Sequence, residues 1–249
     1  MPTLNYVGGE KGGCGKSFLV RALMQYHLDR QLPFIGFDTD RSNPDCKRCY
    51  DSACDIKLAV LSEAERLEDS ANILFNNALE HDVLCNLPAQ VAPALKSWIY
   101  NNQLLELAAE TGVQFRMFFV SDAGYESLKL LERSLKLFGA HIPHVLVQNR
   151  GMTDDWSPVE EDSRLQQLLV DYSVVVMNFP RFIGNADRNF IDRHSLTFGE
   201  ALYHPDLGPI SRQRVKTFLK KAYAEFDRTN LFGAKQTKKK TSKRHSRGQ

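Results

Sequence analysis

The chain has 249 residues and a formal net charge of +2; 43% of its residues are hydrophobic and 25% charged, the balance of an ordinary globular protein with one sizeable core. No run of about 18 apolar residues occurs, which excludes a transmembrane helix. The N-terminus passes from an apolar run at residues 4–7 straight into a glycine loop, without a signal peptide's basic start or cleavage site. Five cysteines, an odd number in a chain too long to need staples, suit a reducing cytosol, and a cytoplasmic location is expected.

Residues 4–7 read as a first strand ending in that glycine loop, and residues 17–28, apolar at Leu19, Val20, Leu23 and Met24, as a helix. Residues 33–37 predict a second strand ending at Asp38. A third is expected at 58–61, followed by a helix over 63–80. Cys46, Cys49 and Cys54 stand in C-x2-C-x4-C spacing, but no fourth ligand with zinc-like spacing follows, so they read as incidental thiols. A short buried strand at 83–85 precedes a helical pattern over 93–111, stopped by Gly112. Residues 115–120 read as a strand and 125–138 as a helix stopped by Gly139. Two further strands are expected at 144–148 and 173–177, with a polar loop at 151–162 between them. The β-branched run Val174-Val175-Val176 predicts burial on both faces of the second. A basic amphipathic helix over 210–226 closes the body, with Val215, Phe218, Leu219 and Ala222 on its apolar face.

Strands alternating with helices predict an α/β fold: a doubly wound, mostly parallel three-layer sheet with ligands at the strands' carboxyl ends. The body, residues 1–232, reads as one domain. Residues 233–249 carry seven basic residues and no acidic ones, and read as a disordered polybasic tail. Setting these aside leaves 25 basic against 30 acidic residues, a mildly acidic globule. Such a tail suits nonspecific, salt-dependent contact with DNA and a nucleoid association, and its lack of large apolar residues disfavours membrane insertion.

The glycine loop between first strand and first helix is built to hold phosphates, because small residues let backbone N–H groups approach the oxygens at a helix N-terminus. Gly12, Gly13, Cys14, Gly15, Lys16, Ser17 and Phe18 are the candidate phosphate-binding residues. Lys16 would reach the β- and γ-phosphates and the Ser17 hydroxyl would bind Mg²⁺. The strict G-x4-G-K-[ST] spacing fails at Glu10. What stands instead is Lys11-Gly12-Gly13-Cys14-Gly15-Lys16-Ser17.

This string resembles the ParA/MinD family of deviant-Walker ATPases, a group of P-loop NTPases. The resemblance implies that Lys11 crosses into a partner subunit, so that two chains sandwich two ATP molecules in an ATP-dependent homodimer. Phe37-Asp38-Thr39-Asp40 resembles the family's switch I segment, which gives Asp40 the attacking water and places Asp38 near Mg²⁺; Arg41 stands where the family has proline. Residues 83–90 resemble the Walker B and switch II segment, with Asn86 in place of its aspartate. An amide there can hydrogen-bond a Mg²⁺-bound water but brings no charge, so slow ATP hydrolysis is expected. Asn149, in a strand ending Asn-Arg, and Pro180, before Arg181, match the family's adenine-binding positions.

Residues 192–202 are similar to the C-terminal segment of TraL-type plasmid mobilisation ATPases. The implied function is a dimerising switch ATPase in plasmid or mobile-element partition, mobilisation or cargo positioning, with ATP and Mg²⁺ as cofactors. A stimulating protein partner or cargo adaptor is expected as well. A small-molecule synthetase or amidotransferase on the same fold would need a second substrate pocket, and none is identified. A scaffold that has nearly lost hydrolysis is the third reading, motivated by Asn86.

Overall fold

The computed structural model describes residues 1–41, 43–64 and 69–232. Those residues form a seven-stranded, all-parallel sheet from β1 (Thr3–Gly8), β2 (Ile35–Asp38), β3 (Ile56–Leu58), β4 (Val83–Asn86), β5 (Gln114–Ser121), β6 (His144–Asn149) and β7 (Val175–Phe179). The order across the sheet is β3-β2-β4-β1-β5-β6-β7. The chain leaves β1 toward one edge and later crosses back over it to β5, so the strand order reverses beside β1, where an open α/β sheet binds ligands.

Alternation along the central strands feeds two cores. In β5, Phe115, Met117 and Phe119 point to one face and Phe118 and Val120 to the other. The first face is covered by α3 (Asn72–Ala78), α4 (Ala92–Asn101), α5 (Leu104–Thr111), α6 (Tyr125–Phe138), α7 (Ser157–Glu160) and α8 (Ser163–Asp171). The second is covered by α1 (Lys16–Asp29), α2 (Asp45–Tyr50), α9 (Asn185–Arg193), α10 (Phe198–Ala201) and α11 (Pro209–Thr229). No helix among the described residues is long and apolar enough to cross a membrane.

Four expectations are corrected. The third strand lies at Ile56–Leu58 rather than 58–61, paired to β2 from Gly36 to Asp38. Of the helix expected over 63–80, residues 65–68 lie outside the described residues, and the α-helix among the rest is Asn72–Ala78. The pattern over 93–111 is two helices, because Gln103 takes a left-handed conformation (φ 50°) between them. The last strand is an edge rather than a strand buried on both faces. Its open side is satisfied by α11: Asn178 N–H donates to Glu225 Oε2 at 2.9 Å and Arg228 Nη2 donates to the Val176 carbonyl at 2.7 Å. These side chains block the edge against pairing with another strand. Cys46 and Cys49 pack into the second core, and among the described residues no cluster of His, Cys, Asp or Glu is arranged to hold a metal ion. Residues 233–249, expected as a tail, lie outside the described residues.

Candidate nucleotide site

The loop between β1 and α1 depends on glycine at two points. Gly9 has φ +140°, and a Cβ there would lie 2.5 Å from the Val120 carbonyl oxygen of the neighbouring strand. Gly15 has φ +97° and lies so close to Asn149 Nδ2 that a Cβ would collide with it. Both positions favour a residue without a side chain. Helix α1 begins at Lys16 with no side-chain cap and no acidic residue in its first turn, so its N–H groups are left for an anion. The Lys16 amine is buried and donates to the carbonyls of Gly9 and Lys11, both at 2.9 Å. The Cys14 thiol donates to the same Lys11 carbonyl at 3.3 Å, and burial pushes its pKa up against the nearby Lys16 charge.

The second wall comes from β2 and β4, whose register sets Asp38 opposite Asn86. Asp38 is 1% exposed and accepts four hydrogen bonds. Oδ1 takes Asn86 Nδ2 (3.0 Å) and Asp40 N–H (3.3 Å); Oδ2 takes Cys46 N–H (2.9 Å) and Lys47 N–H (3.3 Å). Desolvation raises its pKa despite these donors. With its acceptor positions filled, Asp38 orients Asn86 and the start of α2. Asn86 Nδ2 also lies 3.4 Å from Ser17 Oγ, while Asn86 Oδ1 is buried without a hydrogen-bond partner among the described residues. Ser17 and Asp40 line the adjoining cavity, whereas Asn86 and Asp38 are not among its lining residues. A hydroxyl and a carboxylate with room for water are an oxygen donor set that fits a hydrated hard cation such as Mg²⁺.

Beside these residues a cavity of 390 Å³ gathers Gly12, Gly13, Gly15, Lys16, Ser17, Phe18, Asp40, Asn149 and Pro180, while Asp38 and Asn86 stay outside its lining. Asn149 is fixed on both sides, donating from Nδ2 to the Cys14 carbonyl at 2.8 Å and accepting from Gly151 N–H at 2.9 Å. Phe18 packs its ring against Phe179, Phe182, Phe198 and Phe218. Lys11 points elsewhere: its amine is 2.7 Å from Asp122 Oδ2, just past the end of β5. The hydrogen bond that Lys11 donates to Asp122 raises the lysine's pKa. Burial alone would raise that of Asp122, but the Lys11 amine and Gly124 N–H outweigh it and hold the carboxyl below its ordinary value.

Arg21, Arg188 and Asp192 also line the cavity and were not singled out from sequence as site residues. Arg21 is 3% exposed, donates to Asp192 Oδ1 at 2.6 Å, and lies one helical turn after Ser17. That i, i+4 spacing was the available signal. Arg188 lies over the Phe18 ring at 5.7 Å, and neither it nor Asp122 carried a local cue.

No protein-family model matches the chain. By sequence it is similar to the protein MobD of Acidithiobacillus ferrooxidans, 28% identical over 126 residues, which cover 51% of this chain and 54% of that protein. The match thus spans about half the length of that relative. By structure it is similar to a nucleotide-binding protein from Archaeoglobus fulgidus in complex with ADP. The TM-score is 0.51 at 13% identity, over 81% of this chain and 88% of the other. The MinD cell division protein of Aquifex aeolicus gives a TM-score of 0.51 at 11% identity, over 90% and 98% of the two chains. At these identities the likeness is one of fold: a three-layer α/β architecture around an all-parallel sheet, shared with those two proteins.

Proposed function

We propose that this chain is an ATP- and Mg²⁺-dependent switch ATPase that dimerises on ATP and serves partition or mobilisation of mobile DNA. The observation that carries the reading is the single cavity in which Lys16, Ser17, Asp40, Asn149 and Pro180 meet at the carboxyl ends of parallel strands. In this reading the α1 N–H groups and the Lys16 amine receive the β- and γ-phosphates. Asn149 and Pro180 hold the base, and Asp40 orients the attacking water. Mg²⁺, when bound, neutralises charge on the phosphate oxygens. Ser17 would contact it directly and Asn86 through a bound water, with Asp38 keeping Asn86 in place. Lys11, released from Asp122, is assigned to the partner subunit's nucleotide. The similarity to MobD supports a mobilisation-type role.

Asn86 favours a second shade of the same reading, a switch with slow turnover, because the amide adds no negative charge at the metal. The test is binding of labelled ADP and ATP to full-length protein and to Lys16→Ala, followed by retention of nonspecific duplex DNA at about 150 mM salt. Loss of nucleotide in Lys16→Ala and retention of DNA with ATP but not ADP is the expected pair of results. Unchanged nucleotide binding in Lys16→Ala rejects the site. Equal DNA retention with either nucleotide rejects the switch.

A further inference from the structure

A second concavity, which adjoins the nucleotide cavity and shares Arg181 with it, has a volume of 380 Å³ between the N-terminal half of α11 and the loop that follows β7. Its floor includes the buried ring of Phe218, and its walls carry two isoleucines left largely in solvent: Ile183 is 58% and Ile210 71% exposed. Its rim carries Arg181, Arg214 and Lys221. Arg214 is paired with Asp187 at 2.8 Å. From Pro209 to Lys221, α11 contributes five cations (Arg212, Arg214, Lys216, Lys220, Lys221) and no carboxylate. An apolar trough with a one-signed charged rim is the usual form of a surface that takes a peptide.

The charge selects the occupant. A second copy meeting this face with its own would set cations against cations. The chain's own segment 233–249 carries seven cations and no acid, and is repelled in the same way. A nucleic-acid backbone would answer the rim but leave both isoleucines and the trough floor without partners. We infer that this groove docks an acidic segment of a partner protein that inserts a large apolar side chain between Ile183 and Ile210. The salts of such a segment's carboxylates with Arg181 and Lys221 would steer it, and the burial of the apolar anchor would hold it.

The experiment is selection from a displayed library of random peptides about 12 residues long against the full-length, nucleotide-free protein. The best peptides are then measured against Ile210→Glu and Lys221→Glu, with labelled-ADP binding as the check that each variant is folded. Neither residue lines the nucleotide cavity. The expected result is enrichment of peptides with acidic residues around one or two large apolar ones, losing about tenfold or more in affinity in Ile210→Glu and weakening with salt. Selected peptides that lack acidic residues, or that bind Ile210→Glu as well as the parent, overturn the inference. So does a failure to enrich any peptide, or duplex DNA binding that is lost in Ile210→Ser, which would make this face a nucleic-acid surface.

Discussion

Asn86 is where chemistry and stability pull in opposite directions. Its Nδ2 donates to Asp38 at 3.0 Å, so an aspartate in its place would set two carboxylates against each other in a buried site. One of the pair would then hold its proton well above the ordinary range. A raised carboxyl pKa favours the fold at low pH and loses that advantage as pH rises through it. Asn86→Asp is therefore expected to be less stable at pH 7 than at pH 5, by about 1–3 kcal/mol relative to the parent, with Mg²⁺ and ATP restoring stability. Thermal unfolding at the two pH values checks this. The same variant is expected to hydrolyse ATP about tenfold faster or more, since a carboxylate adds the charge the metal lacks. An unchanged rate would remove Asn86 from the metal's surroundings.

Lys11 and Asp122 form the other decisive pair. The lysine's raised pKa keeps it charged until pH rises through that value, and the depressed carboxyl stays ionised until pH falls through its own, so the ion pair is intact across the neutral range. Under the dimer reading the pair must break before Lys11 can reach a partner. Asp122→Asn is expected to shift ATP-induced dimerisation to lower protein concentration and Lys11→Ala to abolish it, as followed by light scattering. A Lys11→Ala protein that still dimerises on ATP overturns the reading.

At the scale of elements, the segment after α9 shows what a short helix needs to exist. Helix α10 has four residues and stands on a capping box. Thr197 Oγ1 accepts from Glu200 N–H at 3.0 Å, while Glu200 Oε2 accepts from Thr197 N–H at 2.8 Å. Gly199 N–H donates to Gln25 Oε1 of α1 at 2.9 Å, and a Cβ there would lie 2.8 Å from Gln25 Nε2. Phe198 packs on Phe18. Thr197→Ala is expected to cost about 1 kcal/mol and lower the melting temperature by roughly 2–4 °C, read by calorimetry. The Thr197–Glu200 spacing was visible in the sequence within the stretch quoted for its resemblance. Its dependence on Gln25, 174 positions away, was not.

The same contrast runs through the fold. Helix α6 was legible to the residue because Gly124 and Gly139 bracket a strongly amphipathic stretch. The break at Gln103 was not, because a left-handed glutamine leaves no mark in a hydrophobic pattern. In the candidate site, the meeting of Lys16 and Ser17 was legible because they are neighbours in sequence. Arg188 was not, because it reaches the cavity from a distant helix, and neither was Asp122, which strand order sets beside Lys11 and outside the cavity lining.

For the molecule as a whole, the run Val174-Val175-Val176 shows how far composition can speak. It predicts burial, and the strand is partly buried, but the order of strands makes it an edge. The Glu225 and Arg228 side chains from α11 bond to backbone groups along its open side. Burial also sets the protein's response to acid. His144 donates from Nδ1 to the Ile142 carbonyl at 2.7 Å and accepts at Nε2 from Ser134 at 2.9 Å, and desolvation pushes its pKa down to about 4. An unfolded histidine titrates near 6.5, so the unfolded chain takes up the proton first as pH falls. The stability from a neutral His144 is present above that value and is lost as pH drops toward 4, on the order of 3 kcal/mol when complete. Denaturant unfolding between pH 7 and pH 4 checks it. In His144→Gln the uptake of protons on unfolding is expected to fall by about one.

The bonds of the Lys16 amine to the carbonyls of Gly9 and Lys11 make the loop a competitor for its own ligand. Under the proposed reading, a nucleotide finds the ammonium already solvated by peptide oxygen, and its phosphates gain only the difference between two sets of acceptors. Binding is then an exchange at a finished cradle rather than the ordering of a slack one, so it calls for little folding and a small change in heat capacity.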